Sequence, residues 1–239
     1  PTRRALEAAR AVTAVSRALA QEAKRAFGVE AVVVPNAVDP ERFRPRPERK
    51  RLYAEEGEWL LVHASNFRPI KRVPDIVRAF AKIRKRLPAR LLLLGTGPEE
   101  EEARRVAAEL GVAPWVTFHP PTPHPEEVLG AADLFLLPYP NLEQVSSGTL
   151  SYALALGKAV LSTPFRHARA ALAAGRGVLL PLEEEAWAQA VLALAESPER
   201  LREMEERAYA YARDFTWPRV ARAYRRLLEE VADVRPRVA

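Results

Sequence analysis

The chain has 239 residues, room for one large domain or one domain carrying a piece of another, and its content of 48% hydrophobic and 28% charged residues is that of a globular protein. It contains no cysteine, which excludes disulfides, thiol catalysis and thiolate metal sites. A net charge of +6 and a pI of about 9.8 would suit nucleic acid, an anionic membrane surface or phosphate-bearing substrates, yet most arginines alternate with glutamates, as in EEARRVAAEL, the pattern of a solvated, ion-paired helix face.

No apolar run approaches the roughly 18 residues of a membrane span, and the opening PTRRALEAAR is not a secretory signal. A cytoplasmic location is expected, with no nucleic-acid partner and only peripheral contact with a membrane in view. The first residue is proline rather than methionine, so a fragment or a processed product is expected.

In chain order, residues 3–27 carry Leu6, Val12, Val15, Leu19, Ala26 and Phe27 at helical spacing and stop at Gly28, which predicts one helix. AVVVP then predicts a short buried strand, and the proline-rich PNAVDPERFRPRPERK (35–50) a connector with a domain boundary. Beyond it, strand-length apolar runs fall at 59–65, 90–95, 115–119, 134–139, 159–163 and 177–181. Helical patterns separate them at 73–87, 98–110, 125–132, 148–157 and 165–174, and three more helices close the chain at 183–195, 198–213 and 217–232. Strands apolar on both faces and alternating with helices predict an α/β fold: a Rossmann-like parallel sheet with helices on both faces.

In such sheets ligands bind beyond the carboxyl ends of the strands, at the switch point of the strand order. Those ends are SNFRPIKR, GTGP, HPPTPH, YPNLEQVSSGT and STPFRH. In the first, Arg68 and Lys71 offer a planar fork and a point charge that suit a diphosphate, with Asn66 beside them; ordinary solvated helix-start residues are the alternative. Gly95 and Gly97 make a tight strand-to-helix turn without the spacing of a dinucleotide fingerprint, serving either packing or a ligand's close approach. Ser146, Ser147, Gly148 and Thr149 open a helix whose unpaired N–H groups and dipole suit phosphate, and either serine also reads as a plain N-cap.

The histidines (His63, His119, His124, His167) show no metal-ligand spacing, and the aspartates form no Asp-x-Asp pair, so neither a metal nor a cofactor is expected. A departing diphosphate would then be neutralised by protein cations and a helix terminus.

Taken together, VVVPNAVDPERFRP, LLLLGTGPEEEEARRVAAELGVAPWVTFHP, AADLFLLPY and FTWPRVARAYRRLLEEV resemble, in order, the connector, loops and closing helix of the carboxy-terminal half of a GT-B glycosyltransferase of retaining family 4. AVTAVSRALAQEA resembles the last helix of that fold's amino-terminal domain. The resemblance divides the chain into 1–38 (last helix and strand of the acceptor-domain side), 39–57 (connector), 58–214 (nucleotide-sugar-binding domain) and 215–239 (closing helix).

LVHASNFRPIKRVPDIVRAFAKI is most similar to the N-acetylglucosaminyl-malate synthases of that family. This implies UDP-N-acetylglucosamine as donor and malate as acceptor, with a separate acceptor domain as partner; a UDP-sugar is the donor class expected, and a glycan or a lipid stays open as the acceptor. It also implies that Arg68 and Lys71 grip the donor diphosphate and that the 119–122 loop (His119, Pro121, Thr122) holds the base. The family's pair of glutamates, spaced Glu-x7-Glu before Ala-Met-Ala-x-Gly, is replaced: Gln144 stands at the sugar-contacting place and Tyr152 at the ribose-contacting place. A glutamine still bonds hydroxyls and a tyrosine bonds one; a lost charged hydrogen bond would cost about 1.5–3 kcal/mol. Three rival readings remain: a non-catalytic nucleotide-sugar-binding or partner-assembly module, a 2-epimerase of the same fold, and a nucleic-acid binder suggested only by the pI.

Overall fold

The computed structural model describes residues 2–233. The expected helix over 3–27 is instead three elements: α1 (Thr2–Ala8), strand β1 (Thr13–Ala14) and α2 (Arg17–Phe27). Val12 and Val15 mimic a helical repeat, but Thr13 and Ala14 pair in parallel with Val32 and Val33 of β2 (Val32–Val33). Ser16, extended at φ −152°, then starts α2 by accepting the Leu19 N–H at 3.1 Å. The expected buried strand AVVVP is also corrected: β2 has two residues, and Val32 and Val33 are exposed.

The connector is a fastened segment. Val38 bridges Thr216, Arg46 N–H donates to Gly130 O at 2.9 Å, and Arg42 pairs with Glu126. A 3₁₀ turn over Pro47–Leu52 leads into β3 (Trp59–Ser65). There follow α3 (Val73–Arg84), β4 (Ala89–Gly95), α4 (Glu100–Glu109), β5 (Val116–His119), α5 (Pro125–Leu129), β6 (Leu134–Leu137), α6 (Gly148–Ala155), β7 (Ala159–Ser162), α7 (Arg166–Ala171), β8 (Val178–Leu179), α8 (Glu184–Ala195), α9 (Pro198–Ala212) and α10 (Trp217–Asp233). Residues 234–239 of the expected closing segment lie outside the described residues.

The six strands β3–β8 form one parallel sheet in the order β5-β4-β3-β6-β7-β8. Alternate strand residues feed two cores. Leu60, Val62, Leu92, Phe135 and Val160 pack with α5, α6, α7 and α9, while Leu61, Leu91, Leu93, Leu134 and Leu161 pack with α3, α4 and α8. Burial on both faces is why these strands read as unbroken apolar runs. The order reverses between β3 and β6, so the switch-point crevice opens between the loops after those two strands. Among the described residues no helix is long and apolar enough to cross a membrane.

Candidate functional site

The β3–β6 ladder pairs Leu61 with Leu134 and Val62 with Phe135 and goes no further. Past it the buried His63 bridges the two strands: its Nδ1 lies 2.7 Å from Leu136 O and its Nε2 2.8 Å from Ser65 Oγ. A carbonyl only accepts, so Nδ1 carries the proton and Nε2 accepts from the serine hydroxyl. Burial pushes the His63 pKa down to about 4, with the Leu136 hydrogen bond opposing and the Lys71 charge adding to the fall.

The loop after β3 is held from below by the loop after β4. Phe67 and Arg72 sit at φ 32° and 57°, strained for side-chain-bearing residues. Phe67 O accepts from Glu99 N–H at 2.9 Å, and the Glu99 carboxylate caps α3 by accepting the Val73 N–H at 3.0 Å. Gly95 and Gly97 fit directly beneath: a Cβ on either would lie 1.8 Å from Ser65 O or 2.3 Å from Asn66 O. Packing under the Arg68–Lys71 loop therefore accounts for both glycines.

On that support, the Asn66 side-chain oxygen accepts from Arg68 Nε and Nη2 at 2.8 Å each and fixes the guanidinium. Lys71 places its Nζ 3.7 Å from the centroid of the Tyr139 ring. Burial, then the neighbouring Arg68 charge, lowers the Lys71 pKa.

Across the crevice, α6 begins at Gly148. Ser147 is its N-cap, accepting Leu150 N–H at 3.2 Å, and the Ser147 N–H donates to His167 Nδ1 at 2.9 Å. His167 is therefore neutral, and burial pushes its pKa down to about 4. Thr149 Oγ1 donates to Ala64 O at 3.1 Å, which locks the helix start against the end of β3. Of the N–H groups opening this helix, those of Gly148 and Thr149 have no intramolecular acceptor among the described residues. A Cβ on Gly148 would meet nothing within 4 Å, so the space above them is open.

Gln144 and Tyr152, the residues expected at the places of the family's two acids, are both engaged. Gln144 donates from Nε2 to Ser146 O at 2.8 Å, curling its own loop. Tyr152 is partly exposed and stacks on Phe43 of the connector, ring centroids 4.6 Å apart. His119 lies edge-on to Tyr53 with Nδ1 2.7 Å from Pro120 O, and Pro121 and Thr122 continue the same rim, where Thr122 Oγ1 accepts from His124 N–H at 3.2 Å. Sequence reasoning did not pick out Tyr139 or His167 for the site, nor the Phe43 stack. Tyr139 was hidden at the end of an apolar run, and His167 lies far along the chain from the serine it anchors.

A separate cavity of about 530 Å³ lies on the far side of α6, reaching His167 and Ser146 but none of Arg68, Lys71 and Thr149. The crevice is defined by its convergent polar groups rather than by enclosed volume. Among the described residues no cluster of three or more His, Asp or Glu could hold a metal ion.

A sheet with this strand order, offering cations from one loop and a helix start from the other at its switch point, is a Rossmann-like domain whose crevice has the donors to hold an anion. Residues 58–197 match the family model of glycosyl transferases group 1, and the chain belongs to that family. It is 35% identical to the D-inositol 3-phosphate glycosyltransferase of Nocardia farcinica over 79% of this chain and 45% of that protein. It is 36% identical to the N-acetyl-alpha-D-glucosaminyl L-malate synthase of Bacillus anthracis over 55% of this chain and 36% of that protein. The solved structure of Anabaena HepE in complex with UDP-glucose superposes with a TM-score of 0.82 at 19% identity, covering 95% of this chain and 65% of that one. The fold is that of a GT-B carboxy-terminal domain. The chain spans about half or less of the length of the two curated relatives, at 45% and 36%.

Proposed function

We propose that this chain is the donor-binding portion of a retaining glycosyltransferase that takes a nucleotide-diphosphate sugar, with UDP as the favoured nucleotide, and works in the cytoplasm with an acceptor-binding domain outside this sequence. The observation that carries the reading is the convergence of Lys71, Arg68 and the unpaired Gly148 and Thr149 N–H groups on one crevice. As the bond from the sugar to the diphosphate breaks, negative charge grows on the leaving phosphate, where fixed cations and helix N–H groups stabilise it most. The family's retention of configuration is pictured as same-face attack, with the leaving phosphate taking the acceptor's proton. The UDP-glucose complex of HepE supports the choice of nucleotide. N-acetylglucosamine as the sugar and malate as the acceptor take their support from the Bacillus anthracis relative, with a glycan or a lipid as the other acceptors.

Calorimetry tests this directly. UDP should bind alike with magnesium or EDTA, and more tightly than uridine. A strict need for magnesium would overturn the metal-free diphosphate site. Lys71→Ala should cost UDP about 1.5–3 kcal/mol, as expected for a charge-assisted contact, and leave uridine almost unaffected. Equal losses for both ligands would make Lys71 a structural residue. GDP and a short DNA duplex, run alongside, separate a guanine-nucleotide donor and a nucleic-acid binder from this reading.

Tyr152 is proposed to offer its hydroxyl to the ribose while its ring rests on Phe43. Tyr152→Phe keeps the stack, so the melting temperature should hold while UDP binding weakens about two- to tenfold, the worth of one neutral hydrogen bond. Unchanged UDP affinity would leave Tyr152 a packing residue. A second reading, a nucleotide-sugar-binding module that performs no transfer, is favoured by Gln144 and Tyr152 standing where the family carries acids. Donor turnover by the complete protein, measured as UDP release with acceptor present, separates the two.

A further inference from the structure

We propose that Tyr139 is a positioning residue for the diphosphate-binding lysine, its ring face holding the Lys71 ammonium at the crevice; this rests on the donor-site reading above. The Lys71 Nζ lies 3.7 Å from the ring centroid, well inside the range of a cation–π contact. Lysine is a point charge on a flexible four-carbon stem, so something must fix where that charge points. Arginine in the same loop is fixed by Asn66; Lys71 has no carboxylate partner acting on it among the described residues. The distinction matters chemically. A carboxylate would hold the ammonium by neutralising it, whereas an aromatic face holds it and leaves the full positive charge for an incoming anion.

The ring is built to stay still. Tyr139 is fully buried, His63 lies edge-on at 6.4 Å, Phe165 packs at 5.3 Å, and Thr163 Oγ1 donates to Tyr139 O at 2.5 Å. Its hydroxyl contributes nothing to that hold, because it is buried without a hydrogen-bond partner. The Ser147 and Thr149 hydroxyls stand close enough to favour its ionised form, opposing the larger effect of burial, yet neither reaches hydrogen-bonding geometry with it. A buried phenol normally finds a partner, so the face of this ring, rather than its hydroxyl, is the part in use. The other titratable groups around Lys71 are Arg68 on its own loop and the neutral His63 on β3. Burial and Arg68 disfavour the charged lysine, and the ring works against both.

Six proteins decide the matter: wild type, Tyr139→Phe and Tyr139→Leu, each with and without Lys71→Ala. Tyr139→Phe keeps the ring and removes only an unpartnered hydroxyl, so UDP affinity and melting temperature should match wild type. Tyr139→Leu should weaken UDP about two- to thirtyfold, the span of a cation–π contact from exposed to desolvated, and leave uridine unchanged. In the Lys71→Ala background the leucine change should add nothing. If Tyr139→Leu weakens UDP and uridine alike, if its effect survives Lys71→Ala, or if phenylalanine fails to restore binding, the proposal is overturned.

A measurement without ligand covers a leucine variant that does not fold. After reductive ¹³C-methylation, the Lys71 methyl signal, assigned by its loss in Lys71→Ala, should be shifted upfield by the ring in wild type and in Tyr139→Phe. A Lys71 signal at the position of exposed lysines would refute the contact. A wild-type protein that shows the ring shift but binds no UDP would sink the donor reading and leave Tyr139's hold on Lys71 standing.

Discussion

Gly95→Ala is expected to destabilise the protein by about 3–5 kcal/mol, the range of a severe steric and backbone lesion. Gly95 sits at φ 141°, in backbone that L side chains rarely adopt, and its new Cβ would lie 1.8 Å from Ser65 O and 3.0 Å from Ser65 C. Both obstacles are main chain at the end of β3, so no side chain can rotate away. For a protein of this size such a loss lowers the melting temperature by roughly 6–20 °C. Any relief must lift the Ser65–Phe67 segment, on which Asn66, Arg68 and Lys71 depend, so UDP binding should suffer even at temperatures where the variant is folded. Gly148→Ala is the matched control. No atom lies within 4 Å of its Cβ and its φ is not positive, so stability should hold or rise slightly. If the two alanines melt within about 2 °C of each other, the proposed support of the β3 loop by the β4 loop is wrong.

That contrast marks what could be read from the sequence. The alternation of apolar runs and helical patterns identified every strand of the main sheet: the four inner strands are buried on both faces and leave little room for polar residues, and the edge strands β5 and β8 still set Val116, Phe118 and Val178 against the core. The same rule pointed to the candidate crevice, since parallel sheets place their functional loops at strand ends. Thr149 Oγ1, donating to Ala64 O, sets the 146–149 helix start against the end of β3, and the loop that follows β3 carries Arg68 and Lys71. What periodicity could not supply was partnership between distant residues. Val12 and Val15 read as helix because their spacing fits one, and only the pairing of Thr13 and Ala14 with Val32 and Val33 makes a strand. GTGP left packing and ligand approach equally open until the Ser65 and Asn66 carbonyls appeared against its glycines. His167 touches the candidate site only because the chain returns, twenty residues later, to accept the N–H of Ser147. Tyr139 was counted as strand, although Pro138 and the end of the ladder at Leu137 free its ring to meet Lys71.

Two histidines, the buried His63 and the part-buried His167, should make the protein acid-sensitive in a defined window. His63 and His167 both have pKa values pushed down to about 4, chiefly by burial. An unfolded imidazole takes up its proton near pH 6.5, so between about 6.5 and 4 the unfolded chain binds protons that the folded chain refuses. Their contribution to stability is therefore complete above pH 6.5 and falls as the pH drops through that window. Each histidine accounts for about 3 kcal/mol at the acid end, from 1.36 kcal/mol per pH unit. Glu99 and Glu205, whose carboxyls burial pushes up, act in the opposite sense, so the comparison must be made against a variant. His167→Gln should lose about half of the histidine-dependent slope in denaturant unfolding measured from pH 7 to pH 4.5. The local consequence is sharper than the global one. A protonated His167 would set an N–H against the Ser147 N–H that it now accepts, releasing the α6 start from its anchor. Wild-type UDP affinity should therefore fall as His167 protonates, with uridine much less affected, before global unfolding is complete. Equal acid sensitivity of UDP binding in wild type and His167→Gln would show that the anchor between His167 and Ser147 does not hold in place the turn proposed to bind phosphate.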